Sequence, residues 1–324
     1  MGDKPMSRKE KNPAVHTSAR FHDEAAARAH LEAIRWPRGA ICPHCGGVER
    51  NSRIEANPAK NIRPGLWFCG DCRSQFTVTV GTVFEDSKIP LHKWVYATHL
   101  MCASKKGVSS KQLERVLGVT YKTAWFMSHR IRKAMETTPA GQLGGGGKPV
   151  EVDETYYGNK KGKKAKAGWG HKHKIVALVE RNGQARGYHV ADVTGKTLKP
   201  ILQAQIARDS HLMTDEASHY TALGWDFAKH STVNHKVKEY ARGDVTTNTV
   251  EGFFSILKRG LIGTYHHVSE QHLQRYVSEF EFRYNNRESL GVDDQYRAAA
   301  LLKGAEGKRL TYRRTDDAAQ DSVN

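Results

Sequence analysis

The stretch VEVDETYYG, at residues 150–158, decides the fold that the sequence predicts. Apolar and polar residues alternate in its first half, which is typical of a β-strand. Two more segments with strand composition follow at 173–183 and 184–195, and Asn182-Gly183 forms a typical hairpin turn between them. Helical and strand patterns then alternate towards the C-terminus. The sequence therefore predicts an α/β domain that begins with a meander of three strands.

Three acidic residues of this domain stand at informative positions. Asp153 lies in the middle of the first strand, Asp215 ends a short predicted strand, and Glu251 begins a predicted helix. The last two are separated by 35 residues, and Lys258 follows Glu251 by seven residues. Because seven residues make about two helical turns, Glu251 and Lys258 share one face of their helix.

The position of Asp153 needs an explanation, because a charge between β-branched neighbours loses hydration unless something binds it. Carboxylate oxygens are the ligands that Mg²⁺ prefers. The sequence thus predicts a catalytic metal site formed by Asp153, Asp215 and Glu251, with Mg²⁺ or Mn²⁺ as the cofactor. Glu154 and Glu216 adjoin the first two acids, but adjacent residues on a strand point apart, so neither is included.

The charge balance indicates the partner. The chain of 324 residues contains 51 Lys and Arg against 34 Asp and Glu, which gives a net charge of +17. Such a surplus is typical of proteins that bind a polyanion or a membrane surface. There is no stretch of about 18 apolar residues, and the charged N-terminus lacks the apolar segment of a signal peptide. We therefore expect DNA as the partner, no membrane association, and a cytoplasmic location at the nucleoid.

Four of the five cysteines form two C-x-x-C pairs, Cys42 with Cys45 and Cys69 with Cys72, and 23 residues separate the pairs. Each pair can occupy one side of a tetrahedral Zn²⁺ ion. Without an export signal, metal binding is favoured over disulfides. The alternative is a set of buried or redox-active cysteines. The pattern predicts a zinc ribbon with a structural four-thiolate site, and the fifth cysteine, Cys102, is predicted to lie in the core.

A helix-turn-helix is predicted between the ribbon and the α/β domain. Ser109 begins a short helix, Gly118 lies in the turn, and a basic second helix covers 121–135. Lys122 and Arg130 of the second helix are predicted to contact DNA phosphates. The alternative is that the basic face of this helix is only solvated.

The chain is predicted to divide into one main domain and smaller modules. Four consecutive glycines at 144–147 indicate a flexible connector, and polar segments near both ends indicate loose arms. The predicted division is a disordered arm (1–16), a helix with the zinc ribbon (17–90), a helix-turn-helix segment (91–136), a Gly-rich linker (137–149), the α/β domain (150–290) and a C-terminal tail (291–324).

Residues 150–290 resemble the DDE catalytic domain of insertion-sequence transposases in the retroviral-integrase-like superfamily, which has the same 35-residue spacing and a basic residue after the third acid. With the C-x-x-C ribbon and the segment VGTVFEDSKIPL at 80–91, the span from about 21 to 303 resembles the ISXO-like transposases. The resemblance implies a ribonuclease-H-like fold and a two-metal mechanism. It also implies cleavage at the inverted-repeat ends of an insertion sequence, strand transfer into target DNA, and a homo-oligomer when two ends are paired.

Some members of that family have Asn as the third catalytic residue, and Asn248 stands three residues before Glu251. The spacing of 35 residues favours Glu251, which is also the harder, charged ligand for Mg²⁺. By the same resemblance Lys258 is expected near the DNA backbone.

A basic loop directly follows the strand that carries Asp153. Residues 158–174 contain seven lysines, which beside a site of phosphodiester chemistry suit a DNA clamp. Trp169 either stacks on an unpaired base or packs the loop down. A purely solvated loop is the alternative. The lysines predicted to contact DNA are Lys160, Lys161, Lys163, Lys164 and Lys166.

Two other functions stay open. One is a regulator derived from a transposase, which binds DNA through the ribbon and the helix-turn-helix without catalysis. The other is a nuclease of the same fold that cuts without joining. The presence of all three acids argues against the regulator, and an assay for joining would separate the nuclease from the transposase.

Overall fold

A computed structural model of the protein describes residues 15–160, 162, 168–237, 239 and 241–311. The predicted arm at 1–16 lies almost entirely outside the described residues, as do the last residues of the predicted tail. In the described part of the chain, no helix is long and apolar enough to cross a membrane. Four lysines predicted to bind DNA also lie outside the described residues: Lys161, Lys163, Lys164 and Lys166.

Nine α-helices and ten β-strands lie within the described residues. The α-helices are α1 (Glu24–Arg35), α2 (Leu91–Ala103), α3 (Ser110–Leu117), α4 (Tyr121–Met135), α5 (Gly195–Gln205), α6 (Ser218–Gly224), α7 (Asn248–Gly263), α8 (Glu270–Asn285) and α9 (Asp294–Gly304). The strands are β1 (Asn51–Arg53), β2 (Trp67–Cys69), β3 (Gln75–Phe76), β4 (Pro149–Tyr157), β5 (His173–Glu180), β6 (Ala185–Val190), β7 (His211–Asp215), β8 (Lys229–Val233), β9 (Ala241–Arg242) and β10 (Val245–Thr246).

A five-stranded sheet with the strand order β6-β5-β4-β7-β8 forms the centre of the C-terminal half. β4, β5 and β6 are antiparallel neighbours, as the predicted meander requires. β7 is parallel to β4, and β8 is parallel to β7. Asn182 adopts a φ of 59° in the turn between β5 and β6, in line with the predicted hairpin.

Helices cover both faces of this sheet. Alternate residues of β5 mark the two sides: Ile175 and Ala177 pack against α7 and α8, whereas Val176 and Leu178 pack against α5 and α6. A sheet buried on both faces needs near-continuous apolar strands, which is what the IVALV segment of β5 provides. The C-terminal half is therefore a mixed α/β domain, as predicted.

A second core unites the N-terminal elements with the last helix. The ribbon and α1 to α4 share one cluster of buried apolar side chains, to which α9 contributes Ala298, Leu301 and Leu302. The sequence analysis placed residues 291–324 in a C-terminal tail and predicted no helix there, so this helix is a correction. Its apolar AAALL run is too short to reveal an amphipathic helix by periodicity. The Asp293 side chain caps the helix by accepting from the Tyr296 amide at 2.7 Å.

The glycine run before β4 also differs from the flexible connector that the sequence predicted. The amide of Gly144 donates to Glu180 at 2.8 Å, and the amide of Gly145 donates to the Ser210 hydroxyl at 3.0 Å. All four glycines have positive φ values. A Cβ on Gly144 would lie only 2.0 Å from Oγ of Ser210. A close approach to Ser210 therefore requires glycine at position 144. Gly144 and Gly145 pack against the sheet through these hydrogen bonds, whereas a Cβ on Gly146 or Gly147 would meet open space.

A buried ion network joins α4 to α8. Glu279 is fully buried, and it accepts from Nε of Arg132 at 2.7 Å, from the Tyr265 hydroxyl at 2.6 Å, and from Arg283. Burial alone would raise the pKa of Glu279, but Arg283 and Arg132 lower it to about 2. The carboxylate is therefore charged at neutral pH. Arg283 also donates to the Met101 carbonyl at 3.2 Å, so the network ties the N-terminal core to the α/β domain.

Glu281 of α8 makes stability depend on pH. Burial raises its pKa from 4.5 to about 7, although the Gly187 amide, which donates to it at 3.1 Å, lowers it in part. Stability that depends on its neutral form is complete below the unfolded pKa and is lost as the pH rises through about 7. In urea unfolding we expect the stability of Glu281→Gln to exceed that of the parent by about 1–2 kcal/mol at pH 8 and to match it at about pH 4. Parallel pH profiles for the two proteins would contradict this prediction.

Candidate active site

Strand register brings Asp153 and Asp215 to the same edge of the sheet. Glu151 of β4 lies opposite Met213 of the parallel strand β7. Two residues further along their strands come Asp153 and Asp215, so both side chains point to the same face at the same level. Two of the three predicted site residues are thus neighbours because of the β4–β7 pairing.

Helix α7 carries the third predicted residue to this face. It packs on β4 and β5, and Glu251 lies in its first turn. The Glu251 carboxylate accepts from the Thr247 hydroxyl at 2.9 Å and lies 3.5 Å from Nε2 of His235. Its side chain is 43% exposed, so Glu251 is accessible from solvent.

Negative charge accumulates at this site. Burial, with the nearby carboxylates of Glu154, Asp215 and Glu251, raises the pKa of Asp153 to about 7. Burial also raises the pKa of Asp215, although the Ala217 amide donates to it at 3.0 Å. Like charges held close together destabilise one another, and a divalent cation would offset them. The donor set therefore fits Mg²⁺, which takes carboxylate oxygens and keeps several waters.

The three acids are spread more widely than the ligands of one tightly held ion. Among the described residues, the donor groups of three or more whose ligand atoms all lie within 4.8 Å of one another are the ribbon cysteines and a set formed by His173, His189 and Glu270. The acids of β4, β7 and α7 do not meet that limit.

Glu151 is a site residue that the sequence analysis missed. It is fully buried, two positions before Asp153 on the same face of β4. Its carboxylate accepts from the amides of Thr249 and Val250, at 2.7 and 3.0 Å, and pairs with Arg181 at 2.8 Å. A carboxylate at the positive end of a helix dipole fixes that helix end. Glu151 therefore positions the first turn of α7, which carries Glu251. The signal was present in VEVDE, where alternation places residue 151 beside residue 153.

Replacement of Glu151 tests this positioning role. In Glu151→Gln the helix end loses its charged anchor, and Glu251 no longer has a fixed place opposite Asp153. We expect the Mg²⁺ concentration for half-maximal DNA cleavage to rise about 10- to 100-fold. Glu180→Gln is the matched control, because Glu180 contacts Gly144 and Lys148 rather than α7. A Glu151→Gln protein that loses stability but keeps the parental Mg²⁺ dependence would reduce Glu151 to a structural residue.

The acids left out of the predicted site point elsewhere, as expected from strand alternation. Glu154 accepts from the Tyr220 hydroxyl at 2.8 Å and lies 3.5 Å from His219, both of α6. Glu216 accepts from the His235 amide at 3.2 Å. Glu154 still affects the site, because its charge contributes to the raised pKa of Asp153.

Lys258 and Asn248 occupy different places on α7. Lys258 is exposed and lines a cleft with Lys172, Tyr157 and His267, between the lysine loop and the end of α7. Lys258 and Lys172, two of the lysines considered for DNA contact, thus line the same cleft. Asn248 is the first residue of the helix and is exposed, and its backbone amide donates to the Thr246 hydroxyl at 3.1 Å.

The described part of the lysine loop lies next to the site. The Lys160 amide donates to the His171 carbonyl at 2.8 Å, which closes the base of the loop. The ring of Trp169 stacks on that of Tyr156 at 5.3 Å and is 58% exposed. The structure shows Trp169 packed against the protein, and the other face of its ring is open to solvent.

The four cysteines of the ribbon converge as the spacing predicts. Sγ of Cys42 lies 3.6 Å from Sγ of Cys72, and Sγ of Cys45 lies 3.6 Å from Sγ of Cys69. Thiolates bound at 2.3 Å around a tetrahedral ion would be about 3.8 Å apart, so the site fits Zn²⁺. β1, β2 and β3 form an antiparallel sheet, in which Cys69 ends β2 and Cys72 lies in the turn between β2 and β3, whereas Cys42 and Cys45 precede β1. Cys102 is buried in the N-terminal core, as predicted.

Helices α3 and α4 have the predicted succession of helix, turn and helix. Gly118 ends α3 in the left-handed conformation, and the Thr120 side chain caps α4. Lys122 is exposed in the first turn of α4. Arg130 is a correction: it is only 7% exposed and donates to the carbonyls of Leu310 and Glu85, at 3.0 and 3.1 Å. The structure therefore does not support its predicted contact with DNA phosphates.

Comparisons with known proteins match two parts of the chain. Residues 142–285 match the ISXO2-like transposase domain, and residues 22–75 match the transposase zinc-ribbon domain. A protein of the transposable element ISH50 in Halobacterium salinarum is 29% identical over 289 residues, which cover 81% of this chain and 91% of that protein. A transposase-like protein of Haemophilus influenzae is 29% identical over 99 residues, which cover 31% of this chain and 79% of that protein.

Proposed function

We propose that this chain, whose two matched domains are the ISXO2-like transposase domain and the transposase zinc-ribbon domain, cuts and joins DNA through Asp153, Asp215 and Glu251. The substrate is the pair of inverted-repeat ends of its own insertion sequence, and the product is the element joined to target DNA. The fold proposed for the catalytic domain is ribonuclease-H-like.

One observation carries this proposal: β4 and β7 present Asp153 and Asp215 at one level, beneath the helix end that carries Glu251. The raised pKa of Asp153 fits the same role, because its charge is costly until a cation binds. Asp153, between the other two, is proposed to contact both ions, with Asp215 holding one and Glu251 the other. Bound Mg²⁺ or Mn²⁺ would supply stabilisation of the charge on the attacking and leaving oxygens.

The basic groups on the surface are proposed to bind DNA. Lys258 and Lys172 line one cleft and are proposed to hold the DNA backbone there. The zinc ribbon and the exposed first turn of α4, with Lys122, are proposed to bind the transposon end. A homo-oligomer at the nucleoid would pair the two ends.

The test is a cleavage and joining assay with the full chain. Labelled duplexes that carry one end of the insertion sequence are incubated with unlabelled target DNA in Mg²⁺, and in EDTA as the control. Cleavage followed by joined product in Mg²⁺ alone is the expected result. Cleavage without joining would favour a nuclease, and specific binding without either reaction would favour a regulator.

A further inference from the structure

Two histidines and a glutamate meet at the edge of the central sheet, apart from the acids and the ribbon. They are His173, the first residue of β5, His189 of β6, and Glu270, the first residue of α8. One ligand atom from each lies within 4.8 Å of the other two. Three separate elements thus contribute one donor each.

Strand register explains why the histidines face each other. Ile175 of β5 lies opposite His189 of β6, and His173 is two residues from Ile175. His173 and His189 are therefore diagonal neighbours on the face that α8 covers. Their ring centroids are 5.6 Å apart and the rings are nearly perpendicular, at 67°. Such rings can direct nitrogens at one point between them.

The donor atoms are spaced for an ion rather than for a hydrogen bond. Nδ1 of His173 is buried and has no hydrogen-bond partner among the described residues. It lies 3.7 Å from Oε1 of Glu270, beyond hydrogen-bond distance. Donors held at about 2.0–2.1 Å around a tetrahedral Zn²⁺ ion are about 3.4 Å apart. Because the Glu270 side chain is 54% exposed, a small movement of it would close the set.

The protonation state of the histidines suits a metal. Burial lowers the pKa of His173, and Lys160 and Lys174 lower it further, although Glu270 acts in the opposite direction. Burial also lowers the pKa of His189. Neutral imidazoles keep the lone pair that a metal needs, whereas a salt bridge with Glu270 would require a protonated ring.

We propose that His173, His189 and Glu270 form a second metal site, which takes Zn²⁺ or a similar divalent transition metal. Two imidazoles and one carboxylate are a common protein ligand set for such ions, and water would take the fourth position. The ion would fasten the end of the lysine loop, where β5 begins, to β6 and to the first turn of α8. This site is independent of the proposed catalytic chemistry, because none of its residues belongs to the acidic set.

The test counts zinc in the full chain and in matched variants. Protein is dialysed at pH 7.5 against Zn²⁺ with Mg²⁺ in excess, so that Mg²⁺ rather than Zn²⁺ occupies the acidic site, and bound zinc is measured by mass spectrometry of the element. We expect about two equivalents in the parent, with one lost in Cys42→Ser and the other lost in Glu270→Gln and in His189→Gln. His267→Gln, an exposed neighbouring histidine outside the set, is the control and should keep the parental count.

Cobalt distinguishes the two sites in the same proteins. Co²⁺ bound to the ribbon gives thiolate charge-transfer bands, whereas Co²⁺ bound to nitrogen and oxygen does not. In Cys42→Ser the thiolate bands should disappear while visible cobalt bands remain, and these should vanish when Glu270→Gln is added. A parental zinc count in both Glu270→Gln and His189→Gln would overturn the second site. Failure of His173 and His189 to bind either zinc or cobalt would also overturn the second site, and the contact between His173 and Glu270 would then involve no metal.

Discussion

Asp153→Asn is expected to abolish cleavage and joining, with a loss of at least about a thousandfold, while binding to the transposon end stays nearly unchanged. The side-chain amide of this variant lacks the negative charge with which Asp153 would hold both divalent ions. Asp215→Asn and Glu251→Gln are expected to have the same effect, because each would remove the charge that holds one ion. The measurement is the Mg²⁺-dependent assay on labelled ends, with binding scored in parallel.

Folding controls separate this loss from damage to the protein. Because the pKa of Asp153 is raised to about 7, its charge is unfavourable in the metal-free protein. Asp153→Asn should therefore melt no lower than the parent in EDTA at pH 8. Asn248→Ala should be milder than any of the three. Near-normal cleavage by Glu251→Gln beside an inactive Asn248→Ala would move the third ligand to Asn248, and full activity of Asp153→Asn would refute the two-metal proposal.

Glu279→Gln is expected to destabilise the protein by about 3–5 kcal/mol, the largest effect on stability that we predict. The change leaves Arg132 and Arg283 buried without a counter-charge. Removal of one partner from a buried ion network costs far more than the intact network contributes. The measurement is urea unfolding at pH 7.

An exposed pair provides the matched control for Glu279. Lys111 and Glu114 are 2.9 Å apart on the surface of α3. Glu114→Gln should change stability by less than about 0.5 kcal/mol, because solvent screens such pairs. Equal effects of Glu279→Gln and Glu114→Gln would show that the buried network does not hold α4 against α8.

Local patterns carried most of what the sequence predicted. The meander, the ribbon and the order of helices depend on periodicity and on short spacings, which survive in any tertiary setting. Local patterns could not predict the convergence of Asp153 and Asp215, because strand order depends on how distant segments pair. The family resemblance predicted that the two acids lie together, and the pairing of β4 with β7 is the physical cause of this convergence.

What the sequence missed depends on partners distant in the chain. Lys122 and Arg130 are both basic residues of one helix, but only Arg130 meets the carbonyls of Leu310 and Glu85, which bury it. Glu151 looks like an ordinary strand residue until α7 is placed over it. α9 is a helix because α2 covers its short apolar run. In each case the contact that determines the position of the residue or helix joins parts of the chain that are far apart in sequence.

The contribution of α9 to the N-terminal core has a consequence for synthesis of the protein. Residues 21–135 supply most of that core, yet Ala298, Leu301 and Leu302 close it. A ribosome makes the ribbon and α1 to α4 first, but their apolar surface stays open until α9 has left the exit tunnel. The nascent chain thus carries exposed apolar surface through the synthesis of the whole α/β domain. A chain truncated before α9 would lack the apolar side chains that complete the core of its N-terminal elements.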